Sequence, residues 1–373
     1  MLDRPPRPSL LRALVGAVPR AQGPPRVLVS RIDRLGDVVL TLPLCGLLKQ
    51  HLGAHVTFLG RVYTRELLAA SDAVDAVVEW DDALDPDAAR ELLAGAGCDT
   101  ILHVFPRPAV ARAAWRARVP RRVGTSRRAY HWHYCNRLVA LERNGSPLHE
   151  AQLNVRLARP LLGRACDALS PAELAPYAGL RPRAPLPAEV AALVGADRFA
   201  LVLHPRSLGS AREWPLASYS ALAAALPPGR FRVLVTGTAA DGVALREWFA
   251  EQPAHVHDLT GRLSVGELVT FLARADGIVA ASTGPLHIAS VLGTRALGVY
   301  PTRRPMHPGR WAPIGPGATV LTPPGECASC DGARGRPTTP EESAACACLA
   351  AVPVADVRAV VEEWAAEGRR PRA

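Results

Sequence analysis

Short apolar runs alternate with amphipathic stretches along most of this chain. Val27-Leu28-Val29 reads as a buried strand, followed by a polar turn and a helix over about 38–52. Residues 55–59 predict a second strand and 61–70 a helix. A strand at 74–79, a helix at 85–96 and a strand at 100–104 continue the pattern. The run Arg181-Pro-Arg-Ala-Pro-Leu-Pro187 breaks it, and the alternation then restarts. Strands are expected at 199–203, 232–236, 277–281 and 296–300. Helices are expected at 216–226, 241–251, 265–274, 286–292 and 354–366. Strands that take turns with helices imply parallel sheets covered on both faces. The reading is therefore α/β, with a ragged basic leader over 1–24, one Rossmann-like domain over 25–180 and another over 188–350. The closing segment 351–373, with its helix, is expected to pack back on the N-terminal domain.

Composition narrows the function classes. The chain has 373 residues, 49% apolar and 21% charged, which suits a globular protein of about two domains. Lys plus Arg number 44 against 34 Asp plus Glu, a formal charge of +10 that favours acidic partners. Lys49 is the single lysine. No apolar run of about 20 residues predicts a membrane span. The stretch Leu10 to Val15 is broken by Arg12, a poor signal-peptide core. Eight cysteines are too few for a disulfide scaffold at this length, so a cytoplasmic protein is expected. The leader's apolar stretch with its flanking arginines reads either as disordered or as resting on the inner face of a membrane. No nucleic-acid motif accompanies the basic charge, so no nucleic-acid partner is expected.

Neither G-x-G-x-x-G after a strand nor G-x-x-x-x-G-K-[ST] occurs, so nicotinamide redox chemistry and P-loop phosphoryl transfer lack their fingerprints. Three other segments stand at predicted carboxyl ends of strands, where open α/β sheets build their sites. In Arg31-Ile-Asp-Arg-Leu-Gly-Asp37, with Leu42-Pro43 beyond, Gly36 suits a tight turn and Asp37 reads as an N-cap or as a reactive carboxylate. In His204-Pro-Arg-Ser207-Leu-Gly-Ser-Ala-Arg212-Glu-Trp214-Pro215, small residues and arginines suit a diphosphate, or form a surface loop over Trp214. In Leu259-Thr-Gly261, then Ser282-Thr283-Gly284-Pro285-Leu-His287, a helix opens straight after a strand, a place where backbone N–H groups gather around anions.

In order, spacing and context these segments resemble the glycosyltransferase family that includes the bacterial ADP-heptose:lipopolysaccharide heptosyltransferases. The likeness runs over about residues 26–365. It implies a GT-B fold, two Rossmann-like domains facing a central cleft, and metal-independent, inverting transfer from a nucleotide sugar with no cofactor required. The first domain would then take the acceptor and the second the donor. Matched by position, Asp37 would be the general base. Ser207, Arg212, Asp241, Thr283, Gly284 and His287 would bind the donor. Acceptor residues are not identified, though the arginine-rich stretch from Arg107 to Arg128 suits an acidic glycolipid or forms a solvated face. Ser282 departs from the acidic residue common at that place in the family, which leaves a donor other than heptose open. A non-catalytic nucleotide-sugar-binding module is the remaining alternative. Cys327-x-x-Cys330 and Cys346-x-Cys348 could hold a structural zinc, stay as thiols or pair as a disulfide.

Overall fold

The structure is a computed structural model that describes residues 23–143, 145–195, 197–303, 306–325 and 347–368. Most of the leader and three of the four late cysteines, Cys327, Cys330 and Cys346, lie outside the described residues. The chain divides into two compact units, 1–179 and 180–373. The proline-rich segment 181–187 thus falls at the start of the second.

The first unit holds six strands: β1 (Arg26–Ser30), β2 (His55–Gly60), β3 (Ala76–Glu79), β4 (Thr100–His103), β5 (Arg121–Thr125) and β6 (Arg137–Val139). All are parallel, in the order β3-β2-β1-β4-β5-β6. Leu28 sits between Thr57 and Ile101 in the register. On one face Leu28, Leu59 and Ile101 pack with Trp80, Leu93 and Val110 from the flanking segments. The central strands are buried runs of apolar residues, as helices on both faces require.

The second unit repeats the plan with β7 (Phe199–His204), β8 (Phe231–Val235), β9 (Val256–Asp258), β10 (Gly277–Ala280), β11 (Arg295–Val299) and β12 (Ala318–Leu321). Its parallel order is β12-β11-β10-β7-β8-β9. Counted within each unit, the two orders are the same doubly wound arrangement. Its switch point lies between β1 and β4 in one sheet and between β7 and β10 in the other, which is where such folds take ligands.

Three expectations need correction. The helix read over 38–52 is two helices, Leu35–Val39 and Leu42–Leu52, because Pro43 stands in the first turn of the second and cannot continue the first. The helix read over 241–251 is likewise two, Ala239–Ala244 and Arg246–Ala250, with the break at Leu245. The closing helix Val354–Ala366 belongs to the second unit, not the first. Val357, Val361 and Trp364 join the core built by Phe199, Leu201, Trp214 and Leu222. Gly277 makes room for it, since a Cβ there would meet the Trp364 ring at 2.9 Å.

Candidate functional site

The chain leaves β1 through Ser30 and Arg31 and enters the Leu35–Val39 helix. Arg34 is that helix's N-cap, so Asp37 is not a cap; it lies in the first turn, with Gly36 inside the helix rather than in a left-handed turn. The Asp37 side chain is 15% exposed, and its carboxylate is paired with the Arg31 guanidinium. Arg31 is itself buried and donates from Nη1 to Glu150 Oε1 at 3.0 Å, with Asp33 at 3.6 Å. Burial alone would lower the Arg31 pKa, but Asp37, Glu150 and Asp33 outweigh it and hold the guanidinium above its ordinary value.

Glu150 opens the Glu150–Leu157 helix and is also paired with Arg143. Arg143 donates to Asn154 Oδ1 at 3.1 Å and to the Val104 carbonyl at 2.9 Å. Asn154 donates in turn to the Leu40 carbonyl at 3.0 Å and to Thr41 Oγ1 at 3.1 Å. Thr41 closes the ring by donating to the Asp37 carbonyl at 2.7 Å. Asp37 is therefore held by its side chain and its backbone at once. Phe105, beyond β4, lies under the guanidinium groups of Arg31 at 5.6 Å and Arg107 at 4.8 Å. Sequence reading found Asp37 but not the roles of Arg31, Arg143 and Glu150. The pairing of Arg31 with Glu150 spans 119 residues and leaves no local pattern.

At the second switch point, β7 runs into the 204–215 loop. Ser207 is buried, and its hydroxyl is spent inside the loop, within reach of Glu213 Oε1 and the Ala211 carbonyl, both at 2.9 Å. Glu213, buried and 3.3 Å from the Arg206 guanidinium, organises this turn and was not singled out in the sequence. Leu208 (φ 50°) and Gly209 (φ 71°) follow each other in the left-handed region, a strained geometry for leucine. Arg212 is half-buried on the same loop. Trp214 is buried beneath it, its indole N–H donating to the Val352 carbonyl at 3.3 Å.

Beyond β10, Thr283 is the N-cap of the Gly284–Val291 helix, yet its side chain makes no cap hydrogen bond. Its Oγ1 is buried without a hydrogen-bond partner among the described residues, while Ser264 and Thr238 both cap their helices in the usual way. Gly284 is the first helical residue and His287 is buried in the first turn. Ser282 shares a hydrogen bond with the buried Tyr300, whose hydroxyl donates to the Trp311 carbonyl at 2.5 Å. Arg303, past β11, is buried with Nη1 lacking a partner among the described residues, a second cation that the sequence reading missed.

Asp241 sits past β8 in the Ala239–Ala244 helix. Its Oδ2 accepts from the Thr238 backbone N–H and hydroxyl, both at 2.7 Å, so one oxygen serves a capping box. His204, at the end of β7, contacts Thr236 Oγ1 at 3.0 Å. Burial pushes its pKa down to about 4 despite the charge of Asp241. Among the described residues no group of three His, Cys, Asp or Glu side chains is arranged to hold a metal. Of the late cysteine cluster only Cys348 is described, buried in the second unit's core.

The family profile of glycosyltransferase family 9 (heptosyltransferase) matches residues 119–336. A Haemophilus influenzae protein described only provisionally as a glycosyltransferase is 27% identical over 304 residues, 78% of this chain and 86% of that protein. Among solved structures, a glycosyltransferase family 9 protein from Veillonella parvula superposes with a TM-score of 0.74 at 16% identity, covering 94% of this chain and 99% of that one. The Escherichia coli ADP-heptose lipopolysaccharide heptosyltransferase II gives a TM-score of 0.67 at 19% identity, covering 91% and 99%. At such identities the likeness speaks to the fold, which is GT-B.

Proposed function

This chain belongs to glycosyltransferase family 9, the heptosyltransferase family, and on that premise we propose that it moves a heptose from ADP-heptose to a lipopolysaccharide-core or related surface-glycan acceptor. The observation that carries the donor half of this reading is the Thr283 hydroxyl: buried, unused by its own helix, and placed at a helix N-terminus beside the switch point. A donor hydroxyl or phosphate would satisfy it. Arg212 and the buried Arg303 add positive charge for the leaving diphosphate. A ribose contact from Asp241 falls to the carboxylate oxygen that its capping box leaves over.

The reaction is one displacement. The acceptor oxygen forms a bond to the anomeric carbon while the bond from that carbon to the diphosphate oxygen breaks, which inverts the centre. Asp37 takes the acceptor's proton, and the nucleoside diphosphate leaves with both bonding electrons. Fixed cations and helix N–H groups meet the charge that develops on it, so the reaction needs no metal on this reading. The acceptor is an acidic glycolipid, which the basic first unit suits, and transfer takes place on the cytoplasmic face of a membrane.

A different nucleotide-sugar donor is the second reading. The observation behind it is Ser282, neutral and bonded to Tyr300 where the family commonly has an acidic side chain. Calorimetric titration with ADP, GDP and UDP, without added metal, separates the two. Preferential ADP binding that Arg212→Ala weakens supports the heptose donor, and preference for another nucleotide overturns it. Failure to bind any of the three returns the chain to a non-catalytic module. Asp37→Asn is expected to abolish transfer while ADP binding persists; transfer at the wild-type rate would refute the base assignment.

A further inference from the structure

The chain's positive charge is not spread over it. Residues 107–143 carry ten arginines and one acid, Glu142, so this tenth of the sequence holds nine of the ten excess charges. Some of these arginines turn inward: Arg143 serves the ring around Asp37, and Arg122 donates to the Tyr134 and Val119 carbonyls. Of the others, Arg121 and Arg137 lie in β5 and β6 and Arg127 pairs with Glu142, while Arg112, Arg116, Arg118 and Arg128 lie on or at the ends of two short helices that pack together, Pro108–Arg116 and Ala129–Tyr134.

Each helix has one buried and one open side. On the first, Val110, Ala111, Ala113 and Ala114 are buried, while Arg112, Trp115 and Arg116 are exposed. On the second, His131 is buried, while Trp132 and His133 are exposed and Arg128, also exposed, is the N-cap. The two open sides adjoin, since the Trp115 ring lies 5.4 Å from that of His133. Trp115 is 44% and Trp132 67% exposed, and they are the exposed tryptophans among the described residues. Trp132 is not loose: its indole N–H donates to the Ser126 carbonyl at 2.9 Å, which fixes the ring facing solvent. Arg116 stands 3.5 Å from Asp87, whereas Arg112, Arg118 and Arg128 have no ion-pair partner among the described residues. Arg118 even occupies a left-handed position (φ 56°) after its helix, where glycine is the inexpensive residue.

Fixed, exposed indoles among exposed arginines, three of the four without an ion-pair partner among the described residues, match the chemistry of an anionic bilayer interface. The rings enter the headgroup layer and the guanidinium groups meet lipid phosphates. We propose that the face formed by Trp115, Trp132, Arg112, Arg116, Arg118 and Arg128 is a reversible docking surface for an anionic lipid membrane. A bilayer interface is favoured over an acidic protein because one layer meets both groups at once, the headgroup phosphates taking the arginines and the interfacial zone the amphipathic indoles. No helix among the described residues is long and apolar enough to cross a membrane, so the contact is peripheral. This rests on the reading that the acceptor is carried on lipid, and it deepens that reading by placing the contact on the first unit rather than on the leader.

The test is co-sedimentation of the full chain with vesicles of phosphatidylglycerol and phosphatidylethanolamine, free of any glycan acceptor, against vesicles of phosphatidylcholine. Binding is expected on the anionic vesicles only and is expected to weaken as salt rises. Arg112→Glu with Arg116→Glu should lower partitioning by well over the roughly fivefold expected for each arginine lost. Trp132→Ser, at a site too exposed to disturb folding, should weaken it at every salt concentration, and with Trp115→Ser should remove it. Unfolding midpoints of the same variants by circular dichroism, expected to match the wild type, show that the first unit is folded, and ADP titration reads the second unit separately. No binding, equal binding to neutral vesicles, or unchanged binding by the variants would overturn the proposal; the last would assign membrane contact to another part of the chain. Weaker transfer to a lipid-free acceptor with vesicle binding intact would assign the patch to the acceptor and also overturn it. Loss of nucleotide binding in the wild type with vesicle binding kept would instead overturn the donor reading alone.

Discussion

Glu150 is the side chain on which the Asp37 environment depends most. It is buried between Arg31 and Arg143, so removing its charge leaves two guanidinium groups without their shared partner. Glu150→Ala should cost about 3–5 kcal/mol of stability, read from urea denaturation. A loss below about 1 kcal/mol would mean that the ring of hydrogen bonds is not a unit. Thr283→Val should behave in the opposite way. The hydroxyl it removes has no partner among the described residues, so the unfolding midpoint should hold or rise, while donor affinity falls about tenfold if one hydrogen bond to the ligand is lost. An unfolding midpoint that drops with donor affinity unchanged would show the hydroxyl to be structural. That Asp37, Thr283 and Arg212 follow the carboxyl ends of β1, β10 and β7 was legible, because each lies in a segment after a strand whose small and polar residues mark a loop. Glu150 and Arg303 were not legible, because what singles them out is burial among partners distant in sequence.

Elements followed the same logic. The eight strands read correctly in outline are β1 to β4, β7, β8, β10 and β11; all but the half-buried β3 are buried runs whose apolar character shows in any window. Strands β5, β6, β9 and β12 were missed. They are three to five residues long, and β5 begins Arg121-Arg122. They lie at or next to sheet edges, where pairing supplies the order that composition does not announce. The closing helix shows how packing overrides a reading by position. Its Trp364 is 6% exposed against Gly277 of β10, and Trp364→Ala should cost about 3–5 kcal/mol. Gly277→Ala should destabilise through the same contact, and less so in a Trp364→Leu background. Equal effects in both backgrounds, measured as a double-mutant cycle, would show the two residues to be uncoupled.

For the whole molecule, buried histidines set the acid limit of stability. Burial, helped by His131 and Arg122, pushes His103 down to about 3, and burial pushes His204 down to about 4. Both are neutral in the folded protein and ordinary in the unfolded chain, so the unfolded state binds more protons once the pH falls below about 6.5. Stability is complete above that pH and declines below it by about 1.4 kcal/mol per pH unit for each histidine, until the folded values are reached. Urea midpoints at pH 7, 6 and 5 should fall in that order; a flat series would show that neither ring is excluded from protonation. The twin strand order has a consequence of another kind. Each sheet closes its own core and offers its own switch point, so substitutions that reshape one leave the packing of the other untouched. With the acceptor on the first unit and the nucleotide sugar on the second, as proposed, descendants of such a chain could exchange one sugar acceptor for another by rewriting the first half alone, and the reverse would hold for a new donor.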